Sequence, residues 1–231
     1  MCQKKALSSS VLAISLMLHL FSLEAFGAPL RFHIKDLSQR NLLSFSIDSL
    51  LERVLAQNSL VRGWVEMDLD KLETGIQGEI ECDMRAFQTG SEIRDLVWQE
   101  KILETKQYPE AILKIVDWGQ TVKGALAKEK ANDLLVKAEL IYRGKKLPLL
   151  LPVRLTYFSE SEKTRSKLPG NLLRFSSKVD WDFSQLGISV PSDLKSVVEE
   201  RMEVVMDLVG TDKLPDEKIL LPEGPKPKER N

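Results

Sequence analysis

The chain has 231 residues and a formal net charge of −1, with 33 Lys or Arg against 34 Asp or Glu. This length fits one domain of ordinary size. The near balance of charge, without a long basic block, excludes the electrostatic pattern of a nucleic-acid-binding protein.

The N-terminal segment has the features of a secretory signal peptide. Lys4–Lys5 precede an apolar stretch at 11–21, and small residues follow at Ala25 and Gly27. We expect cleavage after Gly27, so that residues 1–27 are the signal peptide and the mature chain is a soluble periplasmic or secreted protein. An uncleaved anchor is the alternative, but a membrane span needs about 20 apolar residues and polar residues interrupt this stretch.

Cysteine content constrains how the mature chain is stabilised. Cys82 is the only cysteine after residue 27, so an internal disulfide is excluded even in an oxidising compartment. We interpret Cys82 as a small buried apolar residue without a redox role.

Alternation of apolar and polar residues indicates β-strands through most of the mature chain. The clearest case is VEERMEVVMDLVGT at 198–211. LVRGWVEMDLDKL at 60–72 and GIQGEIECDMRAF at 75–87 alternate in the same way around Gly75, which predicts a hairpin. Further strands are predicted at RFHI, LLSFSID, EAILKIVDW, TVKGALAKE, LLVKAELIYRG, KLPLLLPVRLTYF and LLRFSSKVDWDF.

One segment, TGSEIRDLVWQEKILETKQYP at 89–109, departs from this alternation. Its spacing predicts a short amphipathic helix, and Thr89 followed by Glu92 predicts a capping box. The residues predicted to share the apolar face are Ile93, Leu96, Val97 and Leu103.

The strand count predicts the fold class. About eight to ten strands are close to the number that encloses one small ligand, and closure into a barrel removes exposed sheet edges. We therefore expect an all-β chain in which residues 28–212 form an antiparallel barrel of about eight strands with one short helix. Residues 213–231 are rich in proline and charge and are predicted to be a flexible tail.

Several motifs occur in a defined order along the chain. They are VRGWVEMDLDKLETG with Gly63, Thr89-Gly90, Arg94-Asp95, Tyr108-Pro109, the strand-Gly-strand element at Gly144, and WDFSQLGIS with Phe183 and Gly187. Together they resemble the YceI-like family of polyisoprenoid-binding and lipid-binding, lipocalin-like proteins. The resemblance covers residues 30–211, and it departs where Gln185-Leu186 separate Phe183 from Gly187.

This resemblance implies an elongated lipocalin-like barrel whose hydrophobic channel holds an amphiphilic lipid, such as a polyisoprenoid, a quinone or a fatty-acid derivative. It implies no cofactor other than a bound lipid or isoprenoid. The residues it marks as the structural motif are Gly63, Thr89, Gly90, Arg94, Asp95, Pro109, Gly144, Phe183 and Gly187.

Inward-facing apolar side chains are the candidates for lining the channel. They are Val65, Met67, Leu69, Ile80, Cys82, Met84, Leu113, Ile115, Val204 and Met206. The same residues could instead form a solid core, because an eight-stranded barrel can be filled by its own side chains. The alternation pattern does not decide between a hollow and a filled interior.

We expect binding rather than catalysis and no metal site. His33 is the only histidine of the mature chain, so any catalytic triad would depend on that residue. Arg94 and Asp95 are adjacent, and neighbours on a helix diverge by about 100°. We therefore expect Arg94 to pair with a carboxylate or with strand-end carbonyls, and Asp95 to stabilise the first helical turn.

Two functions remain open at this point. The first is carriage or sequestration of an amphiphilic lipid, and the second is a protein–protein interaction module of the envelope that has no lipid ligand. The sequence also leaves open transient membrane contact and a homo-oligomer.

Overall fold

The structure is a computed structural model that describes residues 28–35 and 38–213. The predicted signal peptide and the tail beyond residue 213 lie outside the described residues. The strands are β1 (Leu30–Ile34), β2 (Leu42–Ser49), β3 (Arg53–Asn58), β4 (Val61–Met67), β5 (Ile76–Asp83), β6 (Glu110–Trp118), β7 (Asn132–Tyr142), β8 (Lys145–Phe158), β9 (Leu172–Asp182) and β10 (Val198–Thr211).

Eight of these strands form a closed antiparallel barrel in the order β1, β4, β5, β6, β7, β8, β9, β10. The barrel closes where His33 of β1 pairs with Thr211 of β10. The hairpin of β2 and β3 pairs with the N-terminal part of β10, beyond the end of β1. The predicted all-β, eight-stranded, lipocalin-like barrel is confirmed.

In β4, β5 and β10, the side chains predicted to face inward are those that form the core. In β10, Met202, Val204 and Met206 are buried inside the barrel, while Arg201 and Asp207 make ion pairs on its outer surface. Exposed pairs of this kind each stabilise a protein by less than about 1 kcal/mol, so burial of the inward face is the main contribution to stability.

Gly63 sets how closely β4 approaches β5. Its φ of +154° is unfavourable for other residues, and a Cβ at this position would overlap the carbonyl oxygen of Glu79. Only glycine allows the two backbones to approach this closely. The close approach explains why a glycine occupies this position of the YceI-like motif.

The predicted helix is present but begins differently from the prediction. It comprises α1 (Glu92–Val97) and a π-helical turn (Trp98–Ile102) that follows directly. Its N-cap is Ser91, whose Oγ accepts from the Arg94 N–H at 3.5 Å. The capping box predicted from Thr89 and Glu92 is therefore wrong.

The apolar face of this helix also differs from the prediction. Ile93 and Leu96 are 79% and 55% exposed, whereas Trp98, Ile102 and Leu103 are buried. The π-turn adds a residue to the turn and rotates the face that follows it, so the inward side comes from the second half of the segment.

A further single turn, α2 (Glu162–Arg165), follows β8. No helix among the described residues is long and apolar enough to cross a membrane.

Two strand assignments are corrected. TVKGALAKE at 121–129 is a loop, apart from an isolated bridge at Lys128. This loop closes one end of the barrel, where Leu126 is buried and donates its N–H to the Leu69 carbonyl at 2.7 Å. The sequence pattern does not predict β3, because two of its three inward residues are Ala56 and Asn58, which do not form an apolar pattern.

Candidate ligand-binding site

The barrel interior has two different halves. The cavity half contains the hairpin of β2 and β3, the C-terminal parts of β5, β7 and β9, and the N-terminal parts of β6, β8 and β10, with α1 across it. The packed half contains the opposite ends of these strands together with β1 and β4. A cavity of about 90 Å³ lies in the cavity half, and its lining residues are apolar apart from Ser44 and the polar groups of Cys82 and Tyr142.

The structure divides the ten predicted channel residues between these halves. Six line the cavity: Ile80, Cys82, Met84, Leu113, Val204 and Met206. The other four are buried in the packed half away from the cavity: Val65, Met67, Leu69 and Ile115. Ligand contact by the first six stays a prediction, and the last four are placed in the core.

The packed half is filled by large side chains. Phe32 and Leu155 are fully buried and Phe175 is 1% exposed. Trp118 closes the same end, with its indole N–H donating to the Leu72 carbonyl at 2.6 Å. The interior is therefore solid in this half.

Aromatic rings form the wall of the cavity beneath the helix. Trp98, on the π-turn, lies 5.4 Å from Phe45 and 6.1 Å from Phe183 between ring centroids. Phe87 lies 4.8 Å from Phe45. Such tilted and edge-to-face pairs are favourable beyond their buried area, so the π-turn is held over the cavity by ring packing.

Arg143 holds the C-terminal end of the π-turn. Its guanidinium donates to the carbonyls of Ile102 and Leu103 at 3.4 and 3.5 Å and to a Glu104 carboxylate oxygen at 2.8 Å. It also lies 4.3 Å from the Tyr108 ring centroid. One side chain thus satisfies carbonyls at the end of the turn and fixes the turn to the β7–β8 connection.

Arg94 and Asp95 hold the N-terminal end of the helix. Arg94 donates to Glu52 Oε1 at 2.6 Å and to the Thr89 carbonyl at 3.1 Å. Asp95 Oδ1 accepts from the Thr89 backbone N–H at 2.7 Å. The helix is consequently tied at this end to the β2–β3 turn and to its own preceding segment.

Polar groups beside the cavity are already bonded to the protein. The Cys82 thiol accepts from the Asn58 amide at 3.2 Å, and the Tyr142 hydroxyl donates to the Leu103 carbonyl at 3.1 Å. Burial raises the pKa of Cys82 to about 12 and that of Tyr142 to about 12. Both groups are therefore protonated at neutral pH, and the cavity presents no charge to a ligand.

The remaining motif residues occupy turns and connections around the cavity half. Gly144 follows Arg143 in the β7–β8 turn, with positive φ at both residues, as a two-residue hairpin turn of this type requires. Gly187, with φ of +70°, packs against Lys145. The Pro109 carbonyl accepts from the Met84 N–H at 2.8 Å, and Gly90 precedes the helix.

Several residues of the cavity wall are not among the ten predicted channel residues. Tyr142 and Trp181 lie at alternating inward positions of β7 and β9, so their strand period was the available signal. Trp98 carried no such signal, because the helical pattern assigned the apolar face to its neighbours.

Among the described residues, no cluster of three or more His, Cys, Asp or Glu side chains is arranged to hold a metal ion.

A family model described as "YceI-like domain" matches residues 36–210. This chain belongs to the YceI-like family. The match covers most of the barrel, including the whole cavity half. No curated protein matches the sequence.

Solved structures share the same fold at low sequence identity. A polyisoprenoid binding domain from Saccharophagus degradans has 12% identity and a TM-score of 0.59, covering 79% of this chain and 98% of its own. BcnA from Burkholderia cenocepacia has 15% identity and a TM-score of 0.56, covering 76% and 99%. A YCEI protein from Campylobacter jejuni has 12% identity and a TM-score of 0.53, covering 71% and 88%.

Proposed function

We propose that this YceI-like protein is an exported carrier or sequestering protein for an amphiphilic lipid, such as a polyisoprenoid, a quinone or a fatty-acid derivative. The observation that supports this most directly is the apolar lining of the cavity, whose nearby polar groups are bonded within the protein. Binding by the Saccharophagus degradans domain, whose name states a polyisoprenoid, supports the same ligand class.

The size of the cavity implies that its wall moves when a long chain binds. Its volume is about 90 Å³, whereas an engineered apolar cavity of about 150 Å³ binds ligands as small as benzene or xenon. The flexible side chains of Met84, Met202 and Met206 lie in the wall, and thioether chains adapt to irregular ligands. Each buried methylene would contribute about 0.8 kcal/mol, so a chain of ordinary lipid length offsets the cost of rearranging them.

The proposal includes export of the chain, and it assigns the protein a binding role and not a catalytic one. Lys4–Lys5, the apolar stretch and Gly27 support secretion through a cleaved signal peptide. Expression of the full chain in a bacterial host should give a periplasmic or secreted protein that begins at Ala28, as N-terminal sequencing would show. A cytoplasmic protein that retains residue 1 would contradict this part.

We also propose that lipid exchange involves transient contact with a membrane. Leu50, Leu51, Ile93 and Leu96 are 75%, 92%, 79% and 55% exposed. They belong to the β2–β3 turn and to α1, which the Arg94–Glu52 ion pair joins. Exposed apolar side chains grouped on two joined elements are typical of interaction sites, and α1 lies across the half of the barrel that would hold the lipid.

Membrane contact is tested by co-sedimentation with phosphatidylcholine–phosphatidylglycerol vesicles. Leu51→Ser combined with Ile93→Ser should reduce the bound fraction at least threefold. Val116→Ser is the matched control, because Val116 is 62% exposed on β6 but lies in the packed half. Equal binding of all three proteins would remove membrane contact from the proposal.

Ligand binding is tested by purifying the protein from cells and analysing an organic extract by mass spectrometry. We expect a bound lipid. Less of it should be present in Leu113→Trp, because the larger tryptophan side chain fills the cavity. Val116→Trp, on the outer surface of the same strand, should retain it. Absence of any lipid, together with no saturable uptake of a fluorescent fatty acid by the unchanged chain, would refute the function.

A further inference from the structure

The barrel wall is incomplete between β8 and β9. Their ladder runs from the Val153–Ser177 pair to Phe158–Leu172, although β8 begins at Lys145 and β9 ends at Asp182. In the cavity half, residues 145–152 pair with β7 and residues 178–182 with β10. Within the described part of the chain, these two segments form no ladder with each other.

The sequence of β8 explains why this ladder stops. The Pro152 carbonyl accepts from the Ser177 hydroxyl at 2.7 Å, so the backbone groups of Pro152 face β9. Backbone N–H and C=O groups alternate in direction along a strand. The backbone groups of residues 146, 148, 150 and 152 therefore all face β9. Positions 148 and 152 are both proline, which has no N–H to donate.

Solvent exposure shows that the incomplete ladder is a gap. Leu147 and Leu149 face inward on β8 but are half-buried, while their β7 partners Leu140 and Ala138 are buried. The same contrast holds on the other side of the gap. Val179 and Trp181 of β9 are half-buried, whereas their β10 partners Val204 and Met202 are buried. In each of these pairs, the more exposed residue is the one on the strand that borders the gap.

Trp181 connects this gap to the cavity. It lines the cavity and is also half-exposed at the edge of β9 that faces β8. The turn after β9 closes the outer end of the gap, where Gly187 packs against Lys145. A slender chain that passes Trp181 would reach the cavity without displacing the helix.

We propose that the gap between residues 145–152 and 178–182 is a lateral access site through which the apolar chain of an amphiphilic lipid enters the barrel. This inference rests on the proposed function and specifies its ligand. The chain is slender and linear, and its polar group stays at the outer surface of β8 and β9, because the cavity wall is mainly apolar and its Cys82 and Tyr142 side chains are bonded within the protein.

The test is to tether the gap from outside. Leu150 and Asp180 are exposed outward-facing residues that would be directly opposite each other if the ladder continued. Leu150→Cys with Asp180→Cys is joined by a short bismaleimide, in a chain that carries Cys2→Ser. Cys82 does not compete for the reagent, because it is buried and its pKa is raised to about 12. Arg154→Cys with Ser176→Cys is the matched control, since these residues are already paired in the ladder.

Uptake and release of cis-parinaric acid are measured by energy transfer from tryptophan before and after tethering. We expect both rates to fall at least tenfold in the gap variant, with a similar equilibrium affinity, and to stay unchanged in the control. Unchanged rates in the tethered gap variant would overturn the inference while leaving the proposed function intact. Absence of uptake before tethering would instead count against the proposed function.

A second variant avoids the reagent. Leu149→Trp fills the gap from its inward side, and the neighbouring outward residue provides the control Leu150→Trp. The first should slow uptake at least fivefold and the second should not. If Leu149→Trp takes up the probe as fast as Leu150→Trp, the access site is not in this gap.

Discussion

The packed half and the cavity half follow the same side-chain alternation but have different interiors. In the packed half, adjacent strands pair with each other, and Phe32, Leu155 and Phe175 are almost completely buried. In the cavity half, β8 and β9 separate and a helix is placed across the end of the barrel. The cavity therefore occurs in the half where the β8–β9 ladder stops and where α1 and the π-turn lie across the barrel.

A matched pair of leucine truncations gives the largest test of this contrast. Leu155→Ala in the packed half should lower the free energy of unfolding by about 4 kcal/mol. Leu113→Ala should lower it by about 2–3 kcal/mol, because a side chain beside a cavity has fewer neighbouring atoms to lose. Urea denaturation followed by tryptophan fluorescence measures both. Equal losses would show that the two halves are equally packed.

Removing the support of the π-turn should have a smaller effect on stability. Arg143→Gln removes the charged donor from carbonyls at the end of the turn and should cost about 1–2 kcal/mol of unfolding free energy. Arg154→Gln is the control, because its ion pair with Asp133 is exposed and exposed pairs contribute little to stability. A loss in the control as large as that in Arg143→Gln would argue against this role of Arg143.

The cavity half should also be sensitive to alkaline pH through Cys82. Burial raises the pKa of this thiol from 9.0 to about 12, so its contribution to stability is complete below pH 9 and is lost as pH rises toward 12. At pH 10 the unchanged chain should lose about 1.4 kcal/mol more than Cys82→Ala. Denaturation at pH 8 and pH 10 measures the difference. Parallel losses in the two proteins would mean that the thiol is not buried.

The smallest expected effect is the dependence of stability on acidic pH through Glu160, at the end of the packed half. Hydrogen bonds from Lys213, the Gly170 N–H and Arg165 lower the pKa of Glu160 to about 2. A lowered pKa contributes stability above the ordinary value of 4.5 that is lost as pH falls toward 2. Glu160→Gln should therefore unfold slightly more easily at pH 7 and approach the unchanged chain near pH 2, as circular dichroism would show. A difference that grows as pH falls would contradict this sign.

Sequence patterns predicted the strands best where local periodicity matches burial. In β10 and in the β4–β5 hairpin, every second residue faces inward because side chains alternate along any strand, and the structure confirms those faces. The pattern failed for β3, where the inward Asn58 is accommodated by bonds to Cys82 and Asp83. Such bonds depend on a distant strand and leave no periodic signal.

The sequence by itself determined the barrel class, the family motifs and the presence of a helix, because these follow from local spacing and residue type. Tertiary structure alone decided which candidate residues meet at a cavity and which side of the helix is buried. The prolines of β8 show the boundary between the two. Their missing N–H groups are visible in the sequence, but only the strand order shows that they face β9 and leave the wall open.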